Sequence, residues 1–418
     1  MRKITLEKYD IVIIGGGIAG LSTALHICEK TDLTLLLIEK GIFGDETKTS
    51  PFTFPDVVER FHLYDAVLQE YTRFTYMSPT GVAASFEYEN PAFVTLDYQK
   101  TCDIMFNRIR KEGNVRVLEK TEALDLEVTK TDSKLTLSNS ASVLCSVLVD
   151  ASGSSFFVAR KLGIGLPILY SHPYGEFLEG CKIEDPEEMC IVTGDKYGNG
   201  GGWMYPIGRK AARFGFATIT RSHVYPKAVV EGNFRKAIRD FYPYNEMLKG
   251  AKSRRSEFGT IPIGPLEKFV YGRILIVGDA AGQATPWYNE GVRPALEAGK
   301  LCGKTIVEAY ENGKFLKRTL IRYQRLWDAK NRRVYAYSKA RADSYFRSQE
   351  QWDNSVRYQA SLTPEQMMGV IRYCKFPRGR FPKVRSILFS RNWSTRRLTE
   401  IFKDIIWRIC DKARASYS

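Results

Sequence analysis

Residues 11–20 read IVIIGGGIAG, an apolar run of β-forming residues that breaks directly into Gly15-Gly16-Gly17-Ile18-Ala19-Gly20. Helix-forming residues follow from Leu21 to Lys30, then a second apolar strand from Leu33 to Ile38 that ends on Glu39. Strand, G-x-G-x-x-G, helix, strand and acid in this order describe a βαβ unit that holds a dinucleotide. Each residue has a physical task. Gly15 permits the tight turn out of the strand. Gly17 lets the backbone approach a pyrophosphate, because no Cβ stands in the way. Gly20 lets the helix pack close to the strand. Ile18 and Ala19 open the helix, whose N-terminus offers N–H groups and a positive dipole end to phosphates. Glu39, 22 residues beyond Gly17 and followed by Lys40, stands where an acid hydrogen-bonds ribose hydroxyls. Its charge disfavours a 2′-phosphate, so FAD or NAD is expected rather than NADP.

The chain has 418 residues, enough for two or three domains. Its 44% hydrophobic and 26% charged content is that of a globular protein. No stretch approaches the roughly 20 apolar residues of a membrane span. The N-terminal MRKITLEKYD runs straight into the first strand and does not read as a signal peptide. The eight cysteines form no CxxC and no metal-type spacing with the four histidines. They read as reduced thiols of a cytoplasmic protein, and no metal is expected.

The net charge of +15 is unevenly spread. Residues 371–418 carry 13 Lys/Arg against three Asp/Glu. Such a region could meet anionic lipid, nucleic acid or an acidic partner.

Residues 101–111 look helical, and 114–149 look like successive strands, the last ending in Asp150-Ala151-Ser152-Gly153-Ser154-Ser155. That turn would bring small residues, Gly153 among them, and an acid close to a cofactor. Residues 164–260 have short alternating strands rich in aromatics, with a hairpin expected around Gly208-Arg209-Lys210. A buried strand at 273–277 then ends in Gly278-Asp279-Ala280-Ala281-Gly282, after which the pattern is helical.

The resulting expectation is an α/β chain, α+β overall. A discontinuous Rossmann-like dinucleotide-binding domain spans 1–69, 96–163 and 264–310. An antiparallel-sheet substrate domain spans 70–95 and 164–263. A helical, basic C-terminal extension spans 311–418.

Three separated segments resemble one family. The G-x-G-x-x-G unit with Glu39, the DASGSS turn, and GDAAGQATPWYNEGVRPALEAG at 278–299 are similar to the para-hydroxybenzoate-hydroxylase-like FAD proteins. Within these, the chain resembles the geranylgeranyl reductase family, over about residues 8–310. That family carries a Y-x-W-x-F-P motif, represented here by Gly201-Gly202-Trp203-Met204-Tyr205-Pro206. Gly201 replaces its first aromatic, 44–51 lacks the family's cysteine, and Trp287-Tyr288-Asn289-Glu290-Gly291 is bulkier than a glycine-rich turn.

The resemblance implies FAD as cofactor. It implies that Asp279 binds a ribityl or ribose hydroxyl and that Pro286 lies beside the reactive edge of the isoalloxazine. Gly291 and Val292 would offer backbone N–H groups to its pyrimidine end. It implies a substrate pocket walled by Trp203, Tyr205, Pro206 and Trp287.

The single G-x-G-x-x-G leaves electrons to an external donor, NAD(P)H or ferredoxin. Reduction of prenyl-chain double bonds by flavin hydride is the implied activity, with Tyr205 and Tyr288 as candidate proton donors. A flavin-dependent monooxygenase or hydroxylase, a halogenase, and a lycopene-cyclase-like enzyme without net redox remain alternatives, as does a non-enzymatic flavin sensor. Near the C-terminus, Leu398, Ile401, Phe402, Ile405 and Ile409 form one apolar helical face among basic residues. It either packs on the flavin domain or touches the inner face of the cell membrane peripherally. Nucleic-acid binding has no support beyond charge.

Overall fold

Leu6–Ile14 forms the central strand, β1, of a parallel sheet. The computed structural model describes residues 6–45, 51–286, 288–313, 315–341 and 348–377. β1 pairs in parallel with β2 (Leu35–Ile38) on one side and β3 (Ser142–Asp150) on the other. Strand 115–118 continues the sheet beyond β2, and strand 274–276 continues it beyond β3. Ile11, Val12, Ile13 and Leu35–Leu37 are fully buried, which is why these strands are unbroken apolar runs rather than alternating ones. An antiparallel hairpin, 123–128 and 133–137, pairs with β3.

Helices α1 (Ile18–Cys28), α2 (Tyr98–Ile109) and α3 (Val292–Glu311) pack in sequence, α1 touching both others. Asp97 caps α2 by accepting from the Lys100 amide at 3.0 Å. The α1–α3 contact is unusually intimate. A Cβ on Gly299 would lie 2.5 Å from the Ala19 carbonyl oxygen, and one on Gly303 would lie 2.9 Å from that of Thr23. Ser22 Oγ donates to the Leu296 carbonyl at 2.7 Å across the same contact.

A second sheet contains β4 (Leu169–Glu179), β5 (Glu188–Val192), β6 (Gly202–Ile207) and β7 (Ala211–Thr220). Its order is 252–258, β4, β7, β6, β5, 73–77, 83–87. Only β5 and 73–77 run parallel along that path. The hairpin expected near Gly208 joins β6 to β7. One face of this sheet buries Phe214 and Phe216 against Phe234 and Phe241. Strands 52–53, 93–96 and 67–71 form a small third sheet.

The chain continues in α4 (Arg322–Arg341), α5 (Gln349–Gln359) and α6 (Pro364–Tyr373). Ser348 and Thr363 each open a capping box, with Gln351 and Gln366 as the reciprocal partners. Helix α5 contacts strand 83–87 of the second sheet.

Contacts divide the chain at Cys374 into one unit from Met1 to Cys374 and another from Lys375 to Ser418. The apolar face expected at 398–409 lies outside the described residues, as does most of the basic stretch before it. Among the described residues, no helix is long and apolar enough to cross a membrane. The seven described cysteines are buried, and Cys410 lies outside the described residues.

The α1–α3 contact has a stability consequence. Gly299→Val is expected to lower the free energy of unfolding by about 1–3 kcal/mol, the usual range for overpacking, read from urea denaturation. A change under roughly 0.5 kcal/mol, the scatter of inert surface changes, would contradict this packing.

Candidate functional site

A cavity of about 540 Å³ runs from the glycine-rich turn to the second sheet. At its first end, β1 stops at Ile14 and Gly15 turns with φ +102°. A Cβ on Gly15 would lie 2.3 Å from the Ala151 carbonyl oxygen, and one on Gly20 would lie 2.0 Å from that of Gly15. These two glycines therefore serve close packing of the chain on itself. Gly17 differs, because a Cβ there would meet only the Tyr98 hydroxyl, 3.4 Å away. The surface over Gly17 is open to the cavity. Gly17 is also the N-cap of α1 and supplies no side-chain cap, so the first amides of the helix face that opening. A buried helix start without a cap needs an outside acceptor, and a pyrophosphate fits it.

Glu39 closes the end of β2 onto this turn. One carboxylate oxygen accepts from the Gly16 amide at 2.7 Å, the other from the Gly41 amide at 2.8 Å. Each oxygen keeps a further lone pair, and Glu39 and Lys40 both line the cavity. The acid thus braces the phosphate turn as well as standing where ribose hydroxyls would lie.

The DASGSS turn delivers Ala151, Ser152, Gly153 and Ser155 to the wall. Its acid goes elsewhere, contrary to the expectation that it would approach a cofactor. Asp150 is fully buried and accepts from the Ser152 amide at 2.9 Å and the Val158 amide at 2.8 Å. Burial raises its pKa, and those amides pull it back toward the charged form.

The GDAAGQ turn is held from behind. Gln283 Oε1 accepts from the Gly278 amide at 2.7 Å, and Gln283 Nε2 donates to the Tyr323 hydroxyl of α4 at 2.9 Å. Asp279 is thereby presented at the wall. At the start of α3, Pro294 has no N–H and the Arg293 amide donates to Glu290 Oε1 at 3.1 Å. Gly291 and Val292 are left as the helix-start amides at the wall.

The other half of the cavity is aromatic. Phe52, Tyr76, Trp203, Tyr205, Tyr288 and Trp352 line it, with Ile191, Val192 and Ile261. Tyr288 stands edge-on to Tyr76 and Phe74, with ring centroids 6.1 and 6.2 Å apart. Phe52 and Tyr205 lie 5.8 Å apart, centroid to centroid. Trp203 lies in a bed of paired glycines. A Cβ on Gly215 would come within 2.2 Å of its indole ring, and one on Gly175 within 2.8 Å. Burial pushes the Tyr205 hydroxyl well above the ordinary tyrosine range, so it stays protonated at neutral pH.

Of the expected cofactor residues, Gly15, Gly17, Ile18, Ala19, Glu39, Lys40, Gly153, Asp279, Gly291 and Val292 share this one cavity. Gly20, Gly278 and Pro286 are not part of its wall. Among the expected substrate-pocket residues, Trp203 and Tyr205 line it and Pro206 does not; Trp287 lies outside the described residues. Sequence reading missed Tyr98, Tyr76, Asn289 and Trp352, all of which reach the wall. For Tyr98 a signal existed, since it follows the helix-capping Asp97. For Trp352 none did, because only tertiary packing brings α5 to Leu169, Ile219 and Ile263. Among the described residues no cluster of His, Cys, Asp and Glu could hold a metal.

Residues 10–50, the βαβ unit, match the family described as FAD dependent oxidoreductase. The chain is 28% identical over 345 residues to digeranylgeranylglycerophospholipid reductase 2 of Methanothermobacter thermautotrophicus, covering 77% of this chain and 84% of that protein. It is an FAD-dependent oxidoreductase related to the geranylgeranyl reductases. A geranylgeranyl bacteriochlorophyll reductase-like protein from Thermoplasma acidophilum shares the fold with a TM-score of 0.79 at 17% identity, over 92% of this chain and 99% of that one. The halogenase PltM, solved in complex with FAD, superposes with a TM-score of 0.65 at 17% identity, over 84% of this chain and 79% of its own. The cradle described above would suit FAD, with Gly17 and the α1 amides where a pyrophosphate would lie and Glu39 where a ribose would lie.

The double acceptance by Glu39 makes it a sensitive point. Loss of a charged hydrogen-bond partner costs about 1.5–3 kcal/mol, so Glu39→Ala is expected to weaken FAD binding roughly 10- to 100-fold. Equilibrium titration of flavin fluorescence measures this; an unchanged affinity would remove Glu39 from the site.

Proposed function

We propose that this flavoenzyme reduces carbon–carbon double bonds of a prenyl lipid or isoprenoid of the geranylgeranyl type. The observation that carries the reading is the character of the cavity's second half. Its wall there is mainly aromatic and aliphatic, from Phe52, Tyr76, Ile191, Val192, Trp203, Tyr205, Ile261, Tyr288 and Trp352, interrupted by Thr193, Asn199, Thr260, Asn289 and Glu290, whereas the cofactor half carries the charges of Glu39, Lys40, Glu122, Arg160, Lys161 and Asp279. A hydrocarbon chain can be desolvated against those aromatic and aliphatic side chains. Two relatives, named digeranylgeranylglycerophospholipid reductase and geranylgeranyl diphosphate reductase, support the same substrate class.

Bound FAD would supply the hydride for the alkene. The chain's residues must then hold the alkene, exclude water and deliver one proton. Trp203, fixed on its glycine bed, Tyr76 and Trp352 hold and enclose the hydrocarbon. Among the tyrosines of the wall, Tyr205 and Tyr288 are the candidate proton donors of this reading. Electrons enter from an external donor such as NAD(P)H or ferredoxin. A halogenase or monooxygenase reading shares the fold but brings no feature of this cavity to its support.

The test is anaerobic turnover with a chemical reductant and a geranylgeranylated lipid, followed by mass spectrometry. The expected product gains two hydrogens per reduced bond. An oxygenated or halogenated product formed only in air, or a product isomeric with the substrate, would replace this reading. In the same assay Tyr205→Phe and Tyr288→Phe identify the donor. The variant lacking it should lose about 10²–10⁴ in kcat while keeping FAD bound, and full activity in both would place the proton source elsewhere.

A further inference from the structure

The turn that opens α3 carries a buried ion pair that cofactor binding alone does not require. Glu290 Oε1 accepts from the Arg293 amide at 3.1 Å, and Oε2 accepts from Arg293 Nη2 at 2.9 Å. Both side chains are almost fully enclosed, at 3% and 4% exposed. Arg293 also reaches Glu297, Nη1 to Oε2 3.6 Å, and Glu297 in turn binds Lys330 at 2.8 Å and Arg60 at 3.0 Å. Lys330 and Arg60 are half-exposed. The charges therefore alternate from the cavity wall to the surface, beginning with a negative one at the wall.

That order matters for a flavin seated against Gly291 and Val292. The positive end of the 20-residue α3 would favour the negative charge that a flavin gains on reduction. Left alone, it would make the bound flavin easier to reduce and so a weaker reductant. Glu290 stands in the same turn, takes the Arg293 amide, and sets a carboxylate against that charge. Glu297 engages Arg293 from the far side, and Glu290 rather than Arg293 belongs to the cavity wall, so the negative member of the pair is the one nearer the cavity. An isolated alkene is a poor hydride acceptor and needs a strongly reducing partner.

We propose that Glu290, held by Arg293, is a positioning residue that keeps the reduction potential of the bound flavin low. This rests on the flavin reading of the site. Neutralising the carboxylate should favour the reduced cofactor, and so should weakening the ladder at Glu297, by a smaller amount.

The test is the two-electron midpoint potential of the FAD-loaded protein, measured spectroelectrochemically without substrate. Glu290→Gln is expected to shift the reduced-to-oxidised ratio at fixed potential by at least about tenfold toward reduced, a rise of ~30 mV for a two-electron couple. Glu290→Asp, which keeps the charge, should stay near wild type. A potential in Glu290→Gln that is unchanged or lower, with FAD still bound, overturns the proposal. Should that variant fail to retain FAD, Glu297→Gln decides, with a smaller rise supporting the ladder and an unchanged potential rejecting it. Wild-type protein that binds no FAD would overturn the flavin reading itself, a result distinct from flavin bound at an insensitive potential.

Discussion

The close approach of three backbone segments at the end of β1 sets everything else in place. Gly15 turns beside the Ala151 carbonyl, Gly20 passes beside the Gly15 carbonyl, and Glu39 ties the Gly16 amide to the end of β2. A side chain at Gly15 or Gly20 would drive β1, α1 and β3 apart. Their contact leaves Gly17 as the one residue of the turn whose missing side chain opens toward the cavity rather than toward the protein. The same intimacy recurs between α1 and α3 at Gly299 and Gly303, and this carries the start of α3 to the cavity at Gly291. One packing device thus sets both ends of a cavity wall made from residues almost 300 positions apart.

A second glycine device shapes the hydrocarbon half. Gly175 and Gly215 are cross-strand partners on β4 and β7, and Trp203 on β6 pairs with Gly215. The missing side chains of these glycines leave room for the indole close to the sheet. Tyr76 and Tyr288, edge-on to one another, continue the cavity wall, with Phe74 packed behind Tyr288. The cavity is therefore divided by charge, charged where a dinucleotide would lie and mainly aromatic and aliphatic where a prenyl chain would lie. Glu290 breaks the division, and it does so with its charge matched by Arg293.

The parts of this arrangement that were legible in the sequence are local ones. Strand, glycine turn, helix and acid fall within 30 consecutive residues, and each has a single steric reason for its identity. The same holds for the turn at Gly278-Asp279 and the hairpin at Gly208. What could not be read depends on distant partners. Trp352 reaches the cavity because α5 packs on the second sheet, and no periodicity announces that. Asp150 looks like a ligand in a motif, yet its carboxylate is engaged by the Ser152 amide of its own turn and the Val158 amide of the helix that follows. Gln283 is an unremarked residue in sequence and the anchor of the Asp279 turn in space. Pro286 and Pro206 sit inside motifs whose neighbours, rather than they themselves, form the wall.

The central claim is that a single cavity holds FAD along the Gly17 turn and opens, at the Gly291 end, into the aromatic chamber. A crystal structure of the FAD-loaded protein tests it most directly. The account predicts pyrophosphate density against Gly17 and the first amides of α1, with the ring system between the Gly291–Val292 turn and the chamber of Trp203 and Tyr205. FAD bound elsewhere, or a ring walled off from Trp203 and Tyr205, would contradict it.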